Sequence, residues 1–429
     1  MDLRFTESEA AFRAECRTWL EDNVPTQSLP SGDTAAGFAA HVEWERQLFD
    51  ARWAVVSWPR EYGGREASLV EWLIFEEEYY RANAPQRVTQ NGIFLLAPTL
   101  FEYGTQEQQD RILPAMASAQ TTWAQAWSEP NSGSDLASLT SRATQTSGGW
   151  LLNGQKTWCT RGAFCDFGFG LFRSDPDAQR HRGLTYFMFD LRADGVEVRP
   201  VARLDGDDGF AEVFLDDVFV PDDMVIGAVN DGWRVAMATA SSERGLTLRS
   251  PGRFMATTDR LIALAARRTA ANPTLGGHCS PGERSEGAGE GAGAVGGPHA
   301  AGGAGVLGQP AASGAIADGL IDDVVRAWVD ARAYRWYTYG TVARMGRGES
   351  MGSEASLNKI FWSELDIRAH EAALALLGTD AELTEDPSTT DPDDWMKGYQ
   401  FSLAGPIYAG TNEIQRNVVA ERVLGLPRK

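Results

Sequence analysis

Residues 123–162 read WAQAWSEPNSGSDLASLTSRATQTSGGWLLNGQKTWCTRG, and two kinds of site-building material stand side by side in them. Gln125, Trp127 and Ser128 come first. Glu129-Pro130-Asn131-Ser132-Gly133-Ser134-Asp135 follows, a turn-forming run rich in backbone N–H and hydroxyl donors. Such a loop can hold a phosphate or a carbonyl. Further on, Trp150-Leu151-Leu152 and Lys156-Thr157-Trp158-Cys159-Thr160 flank Asn153-Gly154, which predicts a hairpin turning at that dipeptide. On a strand, Trp158 and Thr160 share one face. A flat, redox-active ring needs that pairing, because an indole covers one side while a hydroxyl donates to an edge nitrogen. The plainer reading of the same residues is a β-rich core with buried tryptophans and an ordinary Ser/Gly turn.

Outward from this stretch the pattern changes twice. Residues 5–120 repeat apolar positions at helical spacing, as in Trp44, Leu48 and Phe49, then Trp72, Leu73 and Phe75. From about 121 to 228 the period becomes two, with Leu184-Tyr186-Met188, Val196-Val198, Ala211-Val213-Leu215 and Val218-Val220. Short strands separated by Gly, Asp and Pro turns predict a compact β barrel or sandwich. Helical spacing returns after Gly232 and again over Leu320–Tyr334 and Leu357–Leu377. The expected organisation is therefore α+β and multi-domain: an N-terminal helical domain (1–120), a middle β barrel/sandwich (121–228) and a C-terminal helical bundle (229–429). A stretch at about 271–315 breaks the last of these. Residues 282–308 hold eleven glycines, a composition that cannot bury enough apolar surface to offset its ordering entropy, so a flexible insertion is expected.

Composition sets outer limits. The 429 residues suffice for two or three domains with a sizeable core, and 14 tryptophans suit a globular enzyme. A formal charge of −20 argues against nucleic acid and anionic membranes as partners. No run approaches the ~18 apolar residues of a membrane span, and the N-terminus reads as neither signal nor transit peptide, so a cytoplasmic protein is expected. Cys16, Cys159, Cys165 and Cys279 are spaced for neither a disulfide framework nor a zinc site, and free thiols are expected.

The segments SEPNSGSDLAS and NGQKTWCTRG resemble the middle domain of the acyl-CoA dehydrogenase family, and Trp58-Pro59-Arg60-Glu61-Tyr62-Gly63-Gly64 resembles a turn in its N-terminal domain. Near the C-terminus, Ile407-Tyr408-Ala409-Gly410-Thr411-Asn412-Glu413-Ile414-Gln415-Arg416 is similar to the family's IYxGTxxIQR pattern. As bare sequence this last piece is a turn with Thr411 as a helix N-cap, whose open N–H groups equally suit a pyrophosphate. The resemblance implies FAD as cofactor, with Gln125, Trp127, Ser128, Trp158 and Thr160 at the isoalloxazine. It places Ser134 near the phosphates or the acyl-CoA, and Thr411 and Glu413 at the FAD phosphate and ribose.

Family members of the best-known type carry their catalytic glutamate just before the glycine of that C-terminal pattern; here the position holds Ala409. Another subset, which includes actinobacterial sterol-side-chain types, carries its base on the first helix after the β domain, immediately before an arginine. Ser241-Ser242-Glu243-Arg244-Gly245 stands at the matching place. Without the resemblance, Glu243 and Arg244 read as a surface pair. With it, Glu243 is the expected base for the α-proton of an acyl-CoA thioester, Arg244 a substrate contact, and flavin N5 the acceptor of the β-hydride, giving a trans-2-enoyl product. Electrons would pass to an electron-transfer flavoprotein.

Two family features are missing. The Arg-x-x-Phe-Gly motif that reaches the partner subunit's FAD does not occur, and Ala375-Leu376-Leu377-Gly378-Thr379 stands where Gln-x-x-Gly-Gly is usual. The expected assembly is a homodimer or homotetramer, or a heterotetramer with a related chain that shares the site. Two rival readings stay open on sequence: an acyl-CoA oxidase, and a non-catalytic or half-site subunit of a heteromer.

Overall fold

Thr6, Ser68 and Thr105 each precede a Glu or Gln by three residues. In the computed structural model each closes a reciprocal capping box that satisfies two N–H groups at a helix start. The structure describes residues 4–244, 250–271, 318–349, 352, 354–382 and 394–427. The capped helices are α1 (Glu7–Asn23), α3 (Leu69–Arg81) and α5 (Gln106–Ala117), accompanied by α2 (Ala35–Asp50) and α4 (Ala97–Tyr103). Pro98 has no N–H to offer the preceding turn. The helix entering α4 is accordingly wound as a π-turn over Gly92–Leu96, with Ala97 N–H bonded to Gly92 O.

Eight strands follow: β1 (Trp123–Gln125), β2 (Arg142–Thr146), β3 (Gly149–Lys156), β4 (Phe167–Arg173), β5 (Leu184–Asp190), β6 (Val196–Val201), β7 (Phe210–Pro221) and β8 (Val225–Ile226). They form one sheet in the order β6-β7-β3-β2-β4-β5-β8, with β1 added parallel to β4. Every residue of β5 from Leu184 to Phe189 is buried, because both faces of this strand are covered. Leu184, Tyr186 and Met188 join the core shared with α1–α5, whereas Phe187 and Phe189 join a second core with Phe172, Val213 and two residues of α2, Phe38 and Val42.

One local expectation is overturned here. Asn153-Gly154 is not a hairpin turn: β3 runs straight through it, and the hairpin closes between β2 and β3 at Ser147-Gly148. The dipeptide lies opposite a bulge in β7, where Asp216 and Asp217 together face Asn153. The pairing Leu152↔Val218 shifts to Gly154↔Leu215, and Asn153 exchanges hydrogen bonds with Asp217 across it. Gly154 has φ 144°, and a Cβ there would meet Ser141 Oγ at 2.2 Å, so the site requires glycine for both reasons. On β7 the buried alternation Ala211, Val213, Leu215 changes phase at Asp216-Asp217 and resumes with Val218 and Val220.

The chain then returns to helix: α6 (Gly232–Arg244), α7 (Pro251–Ala271), α8 (Asp318–Met345), α9 (Glu354–Leu377), α10 (Trp395–Ser402) and α11 (Asn412–Val418). Helices α7, α8 and α9 pack around Phe254, Leu261, Ala331, Leu365 and Ala373, a core of their own. Helix α6 belongs elsewhere. Its Val235 and Ala236 are fully buried against the N-terminal helices and the sheet. The Gly/Ala-rich stretch, apart from Ala271 at the end of α7, lies outside the described residues, as do residues 383–393 of the acidic loop.

Candidate active site

Lys156 occupies an inward position of β3, in step with Trp150 and Leu152, and its side chain is fully buried. A buried ammonium demands a counter-charge. Glu129 supplies it: Nζ lies 2.9 Å from Glu129 Oε1 and donates to Leu171 O at 2.8 Å. The other carboxylate contacts come from Thr140 and Ser141, whose backbone N–H groups donate at 2.6 and 2.9 Å. Burial alone would raise the Glu129 carboxyl, but Lys156 and these donors more than offset it and hold the pKa at about 2. Burial pulls Lys156 below the usual lysine range, with Glu129 opposing. The pair joins the 128–135 loop to the end of β3, and Thr157 N–H donates to Ser128 O at 2.9 Å beside it. In the sequence the two residues stand 27 positions apart, and no spacing rule pairs them. The available signal was a lysine at a core-facing strand position.

Beyond Lys156 the strand ends, contrary to the expectation that Trp158 and Thr160 share a strand face. Trp158 and Arg161 both take left-handed φ values, 59° and 55°, so the chain turns sharply around Thr160. The Trp158 indole stands 60% exposed, held edge-on against Phe210. Thr160 is half-buried. Cys159 between them is buried, and desolvation pushes its thiol up to about 12, which leaves it inert. Arg161 anchors the turn through Asp33 (2.7 Å), which also holds Arg203 (2.7 Å). Asp207, at the same cluster, meets Lys397 of α10 at 2.6 Å. The N-terminal helices, the sheet and the C-terminal helices therefore converge at this turn.

The chain from α10 leads to Ala409-Gly410, both in left-handed conformation (φ 56° and 80°). Gln415, fully buried, donates from Nε2 to the carbonyls of Ala409 and Gly410 at 3.2 Å and so fixes the bend. Asn412 is tied to α9 through Lys359 (2.9 Å) and Ser363. Thr411 caps α11, its hydroxyl accepting from Ile414 N–H at 3.3 Å. Glu413 is exposed, and hydrogen bonds from its own backbone N–H and from Thr411 hold its carboxyl below the usual range.

The structure places the other expected residues as follows. Gln125 ends β1 opposite Phe169, and Trp127 is half-buried and donates from Nε1 to the Tyr186 hydroxyl at 3.2 Å. Ser134 is exposed at the tip of its loop, next to an exposed Asp135–Arg180 pair. Glu243 and Arg244 are the last two residues of α6, and their side chains lie outside the described residues.

A protruding indole beside a half-buried hydroxyl thus stands at the meeting of the N-terminal helices, the sheet and the C-terminal helices. Family models match three stretches that together make up most of the chain. Residues 6–120 match the acyl-CoA dehydrogenase N-terminal domain, 124–218 the middle domain and 312–424 the C-terminal domain. The chain is 34% identical to acyl-CoA dehydrogenase IpdE1 of Mycobacterium tuberculosis, over 97% of this chain and 98% of that one. The Mycolicibacterium smegmatis protein of the same name is 35% identical over the same shares. Among solved structures, one described as "Tcur3481-Tcur3483 steroid ACAD" superposes with a TM-score of 0.80 at 24% identity, covering 100% of both chains. The chain belongs to the acyl-CoA dehydrogenase family, whose cofactor is FAD. The residues present fit that group: Trp158 leaves an uncovered aromatic face although Thr157 and Cys159 on either side are buried. Among the described residues, no helix is long and apolar enough to cross a membrane.

Proposed function

We propose that this chain removes the α-proton of an acyl-CoA thioester with Glu243 and so forms the trans-2-enoyl-CoA. The observation that carries this reading is the residue at 409, an alanine that can take no proton, on a chain whose helix α6 ends with Glu243-Arg244. FAD, when bound, supplies the acceptor for the β-hydride. The protein's part is positioning and proton transfer. Gln125, Trp127, Ser128, Trp158 and Thr160 would hold the isoalloxazine. Thr411 and Glu413 would hold the phosphate and ribose, while Ser134 and Arg244 would meet the CoA thioester. A carboxylate enclosed between flavin and acyl chain is a stronger base than one in water, which suits position 243. We place the enzyme in the cytoplasm, in keeping with the unbridged cysteines Cys16, Cys159 and Cys165, and an electron-transfer flavoprotein would take its electrons.

A second reading, a half-site shared with a related chain, is favoured by two features. The Arg-x-x-Phe-Gly motif is missing, and α8 exposes Ile321, Val325 and Val329 at successive turns. An absorption spectrum of the chain purified alone separates the two. About one flavin per chain supports the self-sufficient enzyme, and a colourless protein that turns yellow only with a second chain supports the shared site.

Moving the carboxylate tests the geometry. Glu243→Ala should abolish flavin bleaching by acyl-CoA, and adding Ala409→Glu should restore part of it if both positions approach the same carbon. Partial rescue is the expectation, because an error of about 1 Å costs ~100-fold. Full flavin content and substrate binding without any rescue would remove position 409 from the α-carbon.

A further inference from the structure

Three hydroxyl groups with no part in the proposed chemistry lie buried where α6 crosses the sheet and α4. Tyr186 on β5, Thr239 on α6 and Thr99 on α4 are each at most 1% exposed. Thr239 Oγ1 is 2.7 Å from Thr99 Oγ1 and 3.2 Å from the Tyr186 hydroxyl. The ends of the series have fixed polarity. Trp127 Nε1, which can only donate, meets the Tyr186 hydroxyl at 3.2 Å, and Leu95 O, which can only accept, receives the Thr99 hydroxyl at 2.8 Å. These four contacts can run in a single direction: Trp127 to Tyr186, Tyr186 to Thr239, Thr239 to Thr99, Thr99 to Leu95.

Structure alone does not require this. Thr239 can satisfy its own hydroxyl by donating to Val235 O, 3.2 Å away within α6, and Thr99 is satisfied by Leu95 O. Apolar residues of the same shape at 99 and 239 would leave no polar group to bury there. The series does one thing an apolar core cannot: it sets the height and rotation of α6 against two other elements by directional contacts. Position 243 lies four residues beyond Thr239, one turn on and over the same face of the helix. The other end of the series is the indole of Trp127 in the loop expected to face the flavin.

We infer that Tyr186, Thr239 and Thr99 form a positioning device that registers the end of α6, and with it Glu243, against the Trp127 loop. The inference rests on the reading of Glu243 as the base. The three are positioning residues: their hydroxyls touch neither substrate nor reacting atoms.

The test compares Thr239→Val, which keeps the shape and removes the hydroxyl, with Thr239→Ser, which keeps the hydroxyl. The probe is whichever of butyryl-, octanoyl- and palmitoyl-CoA bleaches the wild-type flavin fastest, in the chain together with any partner needed for flavin retention. Thr239→Val should slow bleaching about 10- to 100-fold, the scale of a misplacement near 1 Å, with flavin content and KM held within about twofold. Thr239→Ser should recover most of the rate. Melting temperature supplies a readout free of activity: because Thr99 and Thr239 share one contact, the double valine variant should lose less than the sum of the two single losses. Wild-type bleaching by Thr239→Val, or full additivity of the two melting shifts, would overturn the inference. Glu243→Gln run in parallel keeps the two ideas apart. If it bleaches normally, the base assignment is wrong and the positioning role with it; if it is inactive while Thr239→Val is not, only the positioning role falls.

Discussion

Replacing Glu243 by Gln should leave a yellow, folded protein that no longer bleaches with acyl-CoA. The amide matches the carboxylate in shape, so packing at the end of α6 is preserved. It cannot accept a proton, and general-base contributions run from about 10² to 10⁴ in rate. Stopped-flow absorbance with the fastest acyl-CoA probe should therefore show a loss of at least ~100-fold, with flavin content and melting temperature close to wild type. Position 409 sharpens the expectation, since Ala409 offers no second carboxylate and no residual pathway through that bend. Retention of more than a tenth of the wild-type rate would exclude Glu243 as the base.

The largest effect on stability is expected at Lys156. In Lys156→Met the Glu129 carboxylate keeps its donors at Thr140 and Ser141 but loses its counter-charge in a buried site. Breaking one partner of such a pair costs about 3–5 kcal/mol, a large part of the ~5–15 kcal/mol that holds a domain together. Glu129→Gln should be similarly damaging, because it strands an ammonium that is fully buried. The double variant should be more stable than either single one, and urea titration of all four proteins gives the coupling directly. Flavin content should fall with stability, since the pair ties the Trp127-Ser128 loop to the turn that carries Trp158. Single variants within about 1 kcal/mol of wild type would show that the pair contributes little.

The same pair predicts the acid limb of the stability curve. Folding lowers the Glu129 pKa from 4.5 to about 2. Its contribution is therefore complete above about pH 4.5 and is lost as pH falls from there toward 2. Glu129→Gln should flatten that part of the profile, whatever its effect at neutral pH.

Much of this is legible in the sequence. The change from helical to two-residue periodicity near 121 and back near 229 marks helices, sheet and helices, because one-sided burial imposes a period of its own on each kind of element. Capping pairs such as Thr105 with Gln108 announce helix starts through purely local hydrogen bonds. The family itself is carried by short motifs whose residues lie close to one another in sequence. Two local expectations fail, the turn at Asn153-Gly154 and the strand face shared by Trp158 and Thr160. Asn153-Gly154 favours a turn when nothing else competes, but here Asp217, 64 residues away, pairs with Asn153 and keeps β3 running past a bulge in β7. Local preference lost to a partner that only the folded chain brings near.

The same limit hid the most consequential contacts. Glu129 and Lys156 are 27 residues apart, Asp33 and Arg161 far more, and Thr99 meets Thr239 across 140 residues and two layers. No spacing rule connects such pairs, because their adjacency is produced by the order of the strands and by the angle at which α6 crosses them. Sequence by itself determined which elements form, what family they build and which residues have suitable chemistry. Tertiary structure alone decided which of those groups are buried together, and a charge or hydroxyl acquires its energetic weight only where water has been excluded from it.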